Sequence, residues 1–404
     1  MNKNKYDILN GSITTPEGYS ASGIHCLIKQ SGPDLALITS DVPCNLAAMF
    51  TINKVPAPCI IIDRGKAKKG KAQAIVINSG NANACTGEQG FTDAMEMIEL
   101  TAHELNIDPA LVLVANTGII GQKMPMDLIR KAIPKSCVGL SATGGVDAAW
   151  AIMTTDTKPK HLSVTFEIDG VKCSIGAIAK GSGMINPNMA TLICIMTTDV
   201  NIEQPLLQEA LKDAVDISFN MLTVDGEMST NDCVFLFANG KSDNEKMSTK
   251  DKNYKAFVAA LKELSIKMAK AIVTDGEGAT KLITVIVDQA TSKKDAIHAA
   301  KAIANSNLVK TAIYGKDPNW GRVVQAIGAS GAEIKPDKII IRFADITVAE
   351  NGAAITYNEE AMRKALEEKE IYVYAGLGAG PFSATVYTCD LTHDYITINA
   401  DYHT

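Results

Sequence analysis

Short apolar runs of strand length recur along almost the whole chain, and they alternate with segments of helical periodicity. Runs rich in Val, Ile and Leu occupy residues 35–38, 74–77, 111–115, 162–168, 171–178, 192–196, 234–238, 282–287, 338–343 and 395–398. Runs of this length and composition are typical of β-strands. Apolar residues spaced three or four apart at 94–105, 207–214, 257–268 and 297–304 indicate amphipathic helices. The pattern therefore predicts an α/β protein.

The spacing of the central runs predicts how the strands are connected. Residues 162–168, 171–178 and 192–196 follow one another with too little chain between them for a crossover helix. Such strands form antiparallel hairpins, so we expect mixed sheets rather than a doubly wound parallel sheet. A chain of 404 residues is long for a single core. We therefore expect two lobes of layered α/β structure with mixed sheets.

Charge and composition argue against several classes of protein. The formal net charge is −6, which argues against a protein that binds nucleic acid. There is one basic run, residues 64–71, and we expect it to be a solvated loop between two strands. The apolar runs are too short to span a membrane, and the N-terminus shows no secretory leader. The nine cysteines include no CxxC pair, which favours a reducing compartment. The six histidines are scattered and form no cluster with cysteine, so we expect no bound metal, and we expect no bound cofactor either. We expect a cytoplasmic enzyme.

The segment 180–191 carries the most informative chemistry. It reads Lys-Gly-Ser-Gly-Met-Ile-Asn-Pro-Asn-Met-Ala-Thr and leads directly into the apolar run 192–196, so a loop constrained by glycine and proline precedes a rigid strand. The Thr191 hydroxyl can attack the carbonyl of Ala190 to give an ester, and hydrolysis then leaves Thr191 with a free α-amine. That amine titrates at about 7.7–8.0 in small peptides, so it can act as the base for its own hydroxyl.

A glycine-rich hairpin before a buried strand explains the same residues, and composition alone leaves both interpretations open. The segment 180–191 also resembles the self-cleavage signature of the ornithine/glutamate N-acetyltransferase family. Further stretches that resemble this family lie at 78–87, 116–121, 218–232, 275–281, 315–322 and 398–402, so the similarity covers nearly the whole chain.

The resemblance implies an α/β fold of the ornithine acetyltransferase and self-processing aminopeptidase type. It implies cleavage between Ala190 and Thr191, giving an α chain of residues 1–190 and a β chain of residues 191–404 that assemble as an α2β2 heterotetramer. It further implies a ping-pong reaction of arginine biosynthesis, in which N-acetylornithine acetylates Thr191, ornithine leaves, and glutamate takes the acetyl group. The sequence leaves open whether acetyl-CoA also serves as a donor substrate.

The resemblance also assigns the other site residues. Thr117 and Gly118 match oxyanion-hole positions, where fixed donors stabilise a tetrahedral intermediate. Lys180 matches a substrate-binding position and would supply the positive charge that a substrate carboxylate requires. Glu277, between two glycines, would accept a hydrogen bond from a substrate amine. The remaining substrate-binding matches are Thr154, Thr191, Asn399 and the terminal Thr404.

Two other functions stay open at this stage. If water replaces the amino acceptor, the same N-terminal threonine makes an aminopeptidase or amidase, although Lys180 and Glu277 suit a small zwitterion better than a peptide. If Thr191 only begins a strand, the chain is a non-catalytic amino-acid-binding protein, which would bind glutamate without exchanging acetyl groups.

Overall fold

The computed structural model describes residues 6–186 and 192–401, and within them it contains two mixed β-sheets. The larger sheet comprises β1 (Tyr6–Leu9), β2 (Tyr19–Ile24), β3 (Leu35–Phe50), β4 (Lys71–Asn81), β5 (Val112–Ile119), β6 (Lys160–Ile168), β7 (Val171–Lys180), β8 (Ile193–Thr198) and β9 (Cys233–Ala238). The smaller sheet comprises β10 (Leu282–Ala290), β11 (Ile340–Phe343), β12 (Ile346–Glu350), β13 (Ala353–Ala354), β14 (Glu370–Gly376) and β15 (Phe382–Cys389).

Helices cover both sheets. They are α1 (Pro58–Ala67), α2 (Gly87–Leu105), α3 (Met126–Val138), α4 (Gly145–Ala151), α5 (Gln204–Ile217), α6 (Lys252–Thr274), α7 (Lys293–Ala304), α8 (Asn307–Tyr314), α9 (Trp320–Gly328), α10 (Glu359–Ala365) and α11 (His393–Asp401). Helix α6 packs against β6 in the larger sheet and also contacts β10 and β15 in the smaller one, so it joins the two lobes. None of the helices in the described ranges is both long and apolar enough to cross a membrane.

The larger sheet confirms the hairpins expected from strand spacing. Strand β6 pairs with β7 and β7 pairs with β8, both antiparallel, whereas β8 and β9 are parallel. The long β3 joins two halves of the sheet, because its first residues pair with β2 and β4 and its last residues pair with β9. The mixed sheets and the two-lobed α/β architecture are therefore as predicted.

Every residue of β8 and β9 is buried, which explains why both strands are apolar on both faces. One face of the β6–β9 region packs on α5 and α6, and the other belongs to a core shared with α1–α4. A third core fills the smaller lobe between its sheet and helices α7 and α9. The strands that flank the segment 187–191 thus lie in the buried interior of the larger lobe.

Two local predictions are wrong. Residues 395–398 lie in α11 rather than in a strand, because a short apolar run fits either structure and its pattern alone does not distinguish them. The basic run 64–71 does not simply connect two strands, since its first residues form the end of α1 and the rest turn into β4. Lysine and arginine near the end of α1 are favourable because they face the negative end of the helix dipole.

Candidate active site

A pocket of about 350 Å³ opens where the ends of β5 and β7 meet the loop that precedes β9. Its lining also includes Gly183 and Met184, just before the segment 187–191, and Glu277 and Asn399 from the smaller lobe and the C-terminal helix. A cavity of this size suits a small molecule. The pocket therefore gathers residues from both lobes beside the predicted cleavage segment.

The end of β5 forms one wall, which Thr117 and Gly118 line. Gly118 has φ +132°, and a Cβ atom at this position would lie 2.3 Å from the carbonyl carbon of Gly80, so the close approach of β4 and β5 requires glycine. The buried Asn231 ties this wall in place, since its Nδ2 donates to the carbonyls of Ala82 at 2.7 Å and Asn116 at 2.8 Å. The result is a rigid corner at the end of β5.

Lys180, the last residue of β7, supplies positive charge. It is only 3 % exposed, and burial lowers the pKa of its ammonium although Asp156 opposes this effect. Its Nζ has no carboxylate of the described residues within ion-pair distance, 4.0 Å. A buried ammonium without a direct anionic partner is well suited to bind an anionic group of a ligand.

Glu277 supplies a carboxylate to the pocket. Its Oε2 accepts a hydrogen bond from Asn399 Nδ2 at 2.8 Å, and its backbone N–H donates to the Ser182 carbonyl at 3.0 Å. A Cβ atom at Gly183 would lie 2.3 Å from Glu277 Oε2, so the carboxylate occupies space that only a glycine leaves open. The glycine-rich loop and Glu277 are thus fitted to each other.

Carboxyl groups also hold the chain on both sides of the segment 187–191. Asp225 accepts hydrogen bonds from the backbone N–H groups of Met184 at 2.6 Å and Ile185 at 2.8 Å, and Met184 has φ +56°. On the other side, Asp232 Oδ1 accepts from the backbone N–H of Leu192 at 3.0 Å. Burial raises the pKa of Asp232 well above its usual range, so this carboxyl group favours the neutral form.

Comparison with known proteins identifies the family. The model of the ArgJ family matches residues 20–404. The arginine biosynthesis bifunctional protein ArgJ of Symbiobacterium thermophilum is 48% identical over 399 residues, which cover 98% of this chain and 99% of that protein. The chain belongs to the ArgJ family.

Further members of the ArgJ family agree with this assignment. The arginine biosynthesis bifunctional protein ArgJ of Caldanaerobacter subterraneus subsp. tengcongensis is 47% identical over 402 residues, covering 98% of this chain and all of that protein (100%). A crystal structure of the ArgJ protein from Bacillus halodurans is 40% identical with a TM-score of 0.50; the match covers 51% of this chain and 97% of that chain.

Within this ArgJ fold, the pocket brings together every predicted site residue that the structure describes. These residues are Thr117, Gly118, Thr154, Lys180, Glu277 and Asn399. The remaining predicted positions, Ala190, Thr191 and Thr404, lie outside the described residues. The role of each residue in the reaction stays a prediction.

The sequence analysis missed several residues of the pocket, including Asp225, Asn231 and Tyr395. Tyr395 lies on α11, and its hydroxyl is 3.3 Å from Asp225 Oδ2. Asp225 and Asn231 lie in the stretch 218–232, which resembles the family, so this resemblance could have pointed to them as candidate site residues. No local feature of the sequence indicates that they face the same cavity as Lys180.

Proposed function

We propose that the chain transfers the acetyl group of N-acetylornithine to glutamate in arginine biosynthesis. The bifunctional ArgJ relatives, similar over their full length, support this activity. The observation that carries the proposal is the convergence of six residues, predicted from separate parts of the sequence, on one small pocket. The name "bifunctional" also supports acetyl-CoA as a second acetyl donor, used to acetylate glutamate.

The charges of the pocket suit the proposed substrates. N-acetylornithine carries a carboxylate and a side-chain ammonium. Among the described residues that line the pocket, Lys180 is the cation, and Asp225, Glu227 and Glu277 are acidic. Lys180 would bind the substrate carboxylate, and the acidic side chains would attract the ammonium. Glutamate would use Lys180 in the same way while its own amine faces the acetylated nucleophile.

Thr191 is the proposed nucleophile, formed by cleavage after Ala190. Its α-amine takes the proton as the hydroxyl attacks the acetyl carbonyl, and the backbone N–H of Gly118 and the hydroxyl of Thr117 stabilise the resulting oxyanion. Collapse of this intermediate breaks the bond to nitrogen, and the departing amine of ornithine takes the proton back. The amine of glutamate then attacks the acetyl-threonine ester, which restores the free hydroxyl and gives N-acetylglutamate.

Cleavage would divide the chain into fragments 1–190 and 191–404, which we propose assemble as an α2β2 heterotetramer in the cytoplasm. Support comes from the Bacillus halodurans structure, because 97% of that crystallised chain matches only 51% of this one. A chain of about half the length is what one of two fragments would give. The neighbouring Leu192, covalently bonded to Thr191, is held by Asp232 in the core of the larger sheet.

Intact-mass analysis together with an acetyl-transfer assay tests the proposal. Purified protein should consist of two fragments meeting at residues 190 and 191, and N-acetylornithine without glutamate should leave one acetyl group on the fragment that begins with Thr191. Thr191→Ala should abolish both cleavage and transfer, whereas Thr191→Ser, which keeps a hydroxyl, should retain both at a lower rate. An active protein consisting of one unbroken chain would refute the proposal.

Product analysis separates transfer from hydrolysis. With glutamate present, ornithine and N-acetylglutamate should appear in equal amounts, and free acetate should remain a minor product. A parallel incubation with acetyl-CoA and glutamate tests the second donor. Acetate as the main product in all incubations would favour an amidase instead.

A further inference from the structure

Three charged side chains form a buried cluster behind the pocket. Lys160 Nζ lies 2.6 Å from Asp156 Oδ1 and 2.6 Å from Asp275 Oδ2, and the three side chains are at most 3% exposed. None of the three lines the pocket, so they do not contact a ligand bound there. We call Asp156, Lys160 and Asp275 the buried triad. Burying three charges is costly unless each is paired and hydrogen-bonded, and here each is.

The buried triad holds the backbone of the segments that carry predicted substrate residues. Asp156 accepts hydrogen bonds from the N–H groups of Thr154 at 3.0 Å and Gly181 at 2.8 Å, the latter directly following Lys180. Asp275 accepts from the N–H of Thr157 at 3.1 Å, and its backbone carbonyl accepts from the Ser182 hydroxyl at 2.7 Å. Hydrogen bonds to the buried triad therefore hold in place the segments around Thr154, Lys180 and Glu277.

The charges of the triad also complement Lys180. Two carboxylates and one ammonium leave one uncompensated negative charge in a buried region, and the Lys180 ammonium supplies the matching positive charge. Burial tends to raise the pKa of Asp156, but Lys180 and then Lys160 lower it to about 2. Lys180 has no direct carboxylate partner among the described residues, so its N–H groups stay available to a ligand. The net negative charge of the buried triad balances the positive charge of Lys180 without a direct ion pair.

We infer that the buried triad positions Lys180 and keeps it charged for binding the substrate carboxylate, without itself touching the substrate. This inference rests on the proposed function, in which Lys180 binds that carboxylate. Asp156 is the most important member, since it fixes the backbone next to Lys180 and opposes the lowering of the Lys180 pKa more than any other carboxylate does. We expect it to act as a positioning residue.

Asp156→Asn tests the inference because it keeps the shape of the side chain and removes its charge. The groups that influence Lys180 are the carboxyl groups of Asp156, Asp232 and Glu277 and the ammonium groups of Lys160 and Lys29. Without Asp156 the pKa of Lys180 should fall further, so the alkaline decline of kcat/KM should move to lower pH by about one unit or more. KM for both amino-acid substrates should rise about tenfold, with a smaller change in kcat.

Asp199→Asn is the matched control. Asp199 is also buried and also accepts two backbone N–H groups, from Ser174 at 2.8 Å and Glu17 at 3.4 Å, but it lies at the opposite end of β7 from Lys180. This variant should leave KM and the alkaline limb of the pH profile at their wild-type values.

If Asp156→Asn fails to fold, Asp275→Asn takes its place. It removes the net negative charge of the buried triad and spares the hydrogen bonds of Asp156. It should shift the alkaline limb in the same direction as Asp156→Asn.

Calorimetric binding of ornithine, which carries the same carboxylate but no acetyl group to transfer, separates this inference from the proposed function, because no reaction accompanies binding. Weaker binding and an earlier alkaline loss of binding in Asp156→Asn, absent in Asp199→Asn, would support the triad's role even if the wild type transferred no acetyl group. Wild-type binding and an unchanged pH profile in both triad variants, or equal effects in the control, would overturn it.

Discussion

At the scale of single residues, two glycines set how closely the walls of the pocket approach each other. Gly118 lets the end of β5 lie against Gly80, and Gly183 leaves room for the carboxylate of Glu277. A Cβ at Gly118 would meet the backbone of β4, which supports this wall, and a Cβ at Gly183 would meet the Glu277 carboxylate, which lines the pocket. Substitution there should therefore change the geometry of the site more than the stability of the fold.

Gly118→Ala should lower kcat for acetyl transfer by about 10²–10³, the usual effect of losing one oxyanion donor. The added Cβ would collide with backbone at 2.3 Å, so the donor at the end of β5 must move. Gly121→Ala is the control, because Gly121 also has positive φ, +80°, but a Cβ there meets nothing within 4 Å. Steady-state kinetics of both variants check this; equal losses in kcat would attribute the effect to backbone strain instead.

At the scale of elements, the C-terminal helix α11 differs from the other long helices in how little of its surface is buried. None of its residues is buried, and the polar contacts that hold it include Asn399 with Glu277 and Tyr395 with Asp225. A close approach also occurs at Gly278, where a Cβ would lie 2.5 Å from the backbone N of Tyr395. The helix therefore contributes to the pocket while burying little of its own surface.

Truncation after Thr392 should raise KM for N-acetylornithine by about tenfold or more, because Glu277 loses its partner Asn399 and the pocket loses a wall. The free energy of unfolding should change by less than about 1 kcal/mol, since none of the described residues that are removed, 393–401, has a buried side chain. Kinetics and thermal unfolding measure the two effects. Ile396→Ala, at a side chain 64% exposed, is the control and should leave KM unchanged. A large loss of stability with normal KM would contradict the expectation.

At the scale of the whole molecule, the two predicted fragments are interleaved in one sheet. Strands β8 and β9, from residues 191–404, lie between β7 and β3, from residues 1–190. Ile175–Lys180 pair with Ile193–Thr198, and Asn45–Phe50 pair with Cys233–Ala238. Separating the fragments would break both ladders and expose a fully buried pair of strands.

The cleaved protein should therefore dissociate only when it unfolds. In a urea titration, loss of circular dichroism and separation of the fragments in size-exclusion chromatography should coincide, and the midpoint should rise with protein concentration, because refolding requires association. Uncleaved Thr191→Ala protein, whose halves stay covalently joined, should show a smaller dependence on concentration. Fragments that separate while the circular dichroism is still native would show that the shared sheet does not hold them together.

The sequence by itself determined the features that depend on neighbouring residues. The fully apolar runs predicted the buried strands β8 and β9, and the short spacing between two runs predicted the hairpin of β6 and β7. Apolar residues at helical intervals predicted the long helix α6. The family resemblance led to six residues that line one pocket, five of them within the family-like stretches and the sixth at Thr154. All of these signals lie within short windows of sequence, where periodicity and motif patterns are informative.

Only the tertiary structure decided which distant residues meet. Lys160 and Asp275 are 115 residues apart in the sequence, and Asn399 and Glu277 are 122 apart, yet each pair is hydrogen-bonded. Neither pair has a local pattern, because a contact of this kind depends on how the two lobes pack and not on the residues beside it. The same reason explains the wrong prediction at 395–398, because a run of four residues fits a strand or a helix and only its surroundings in the fold decide between them.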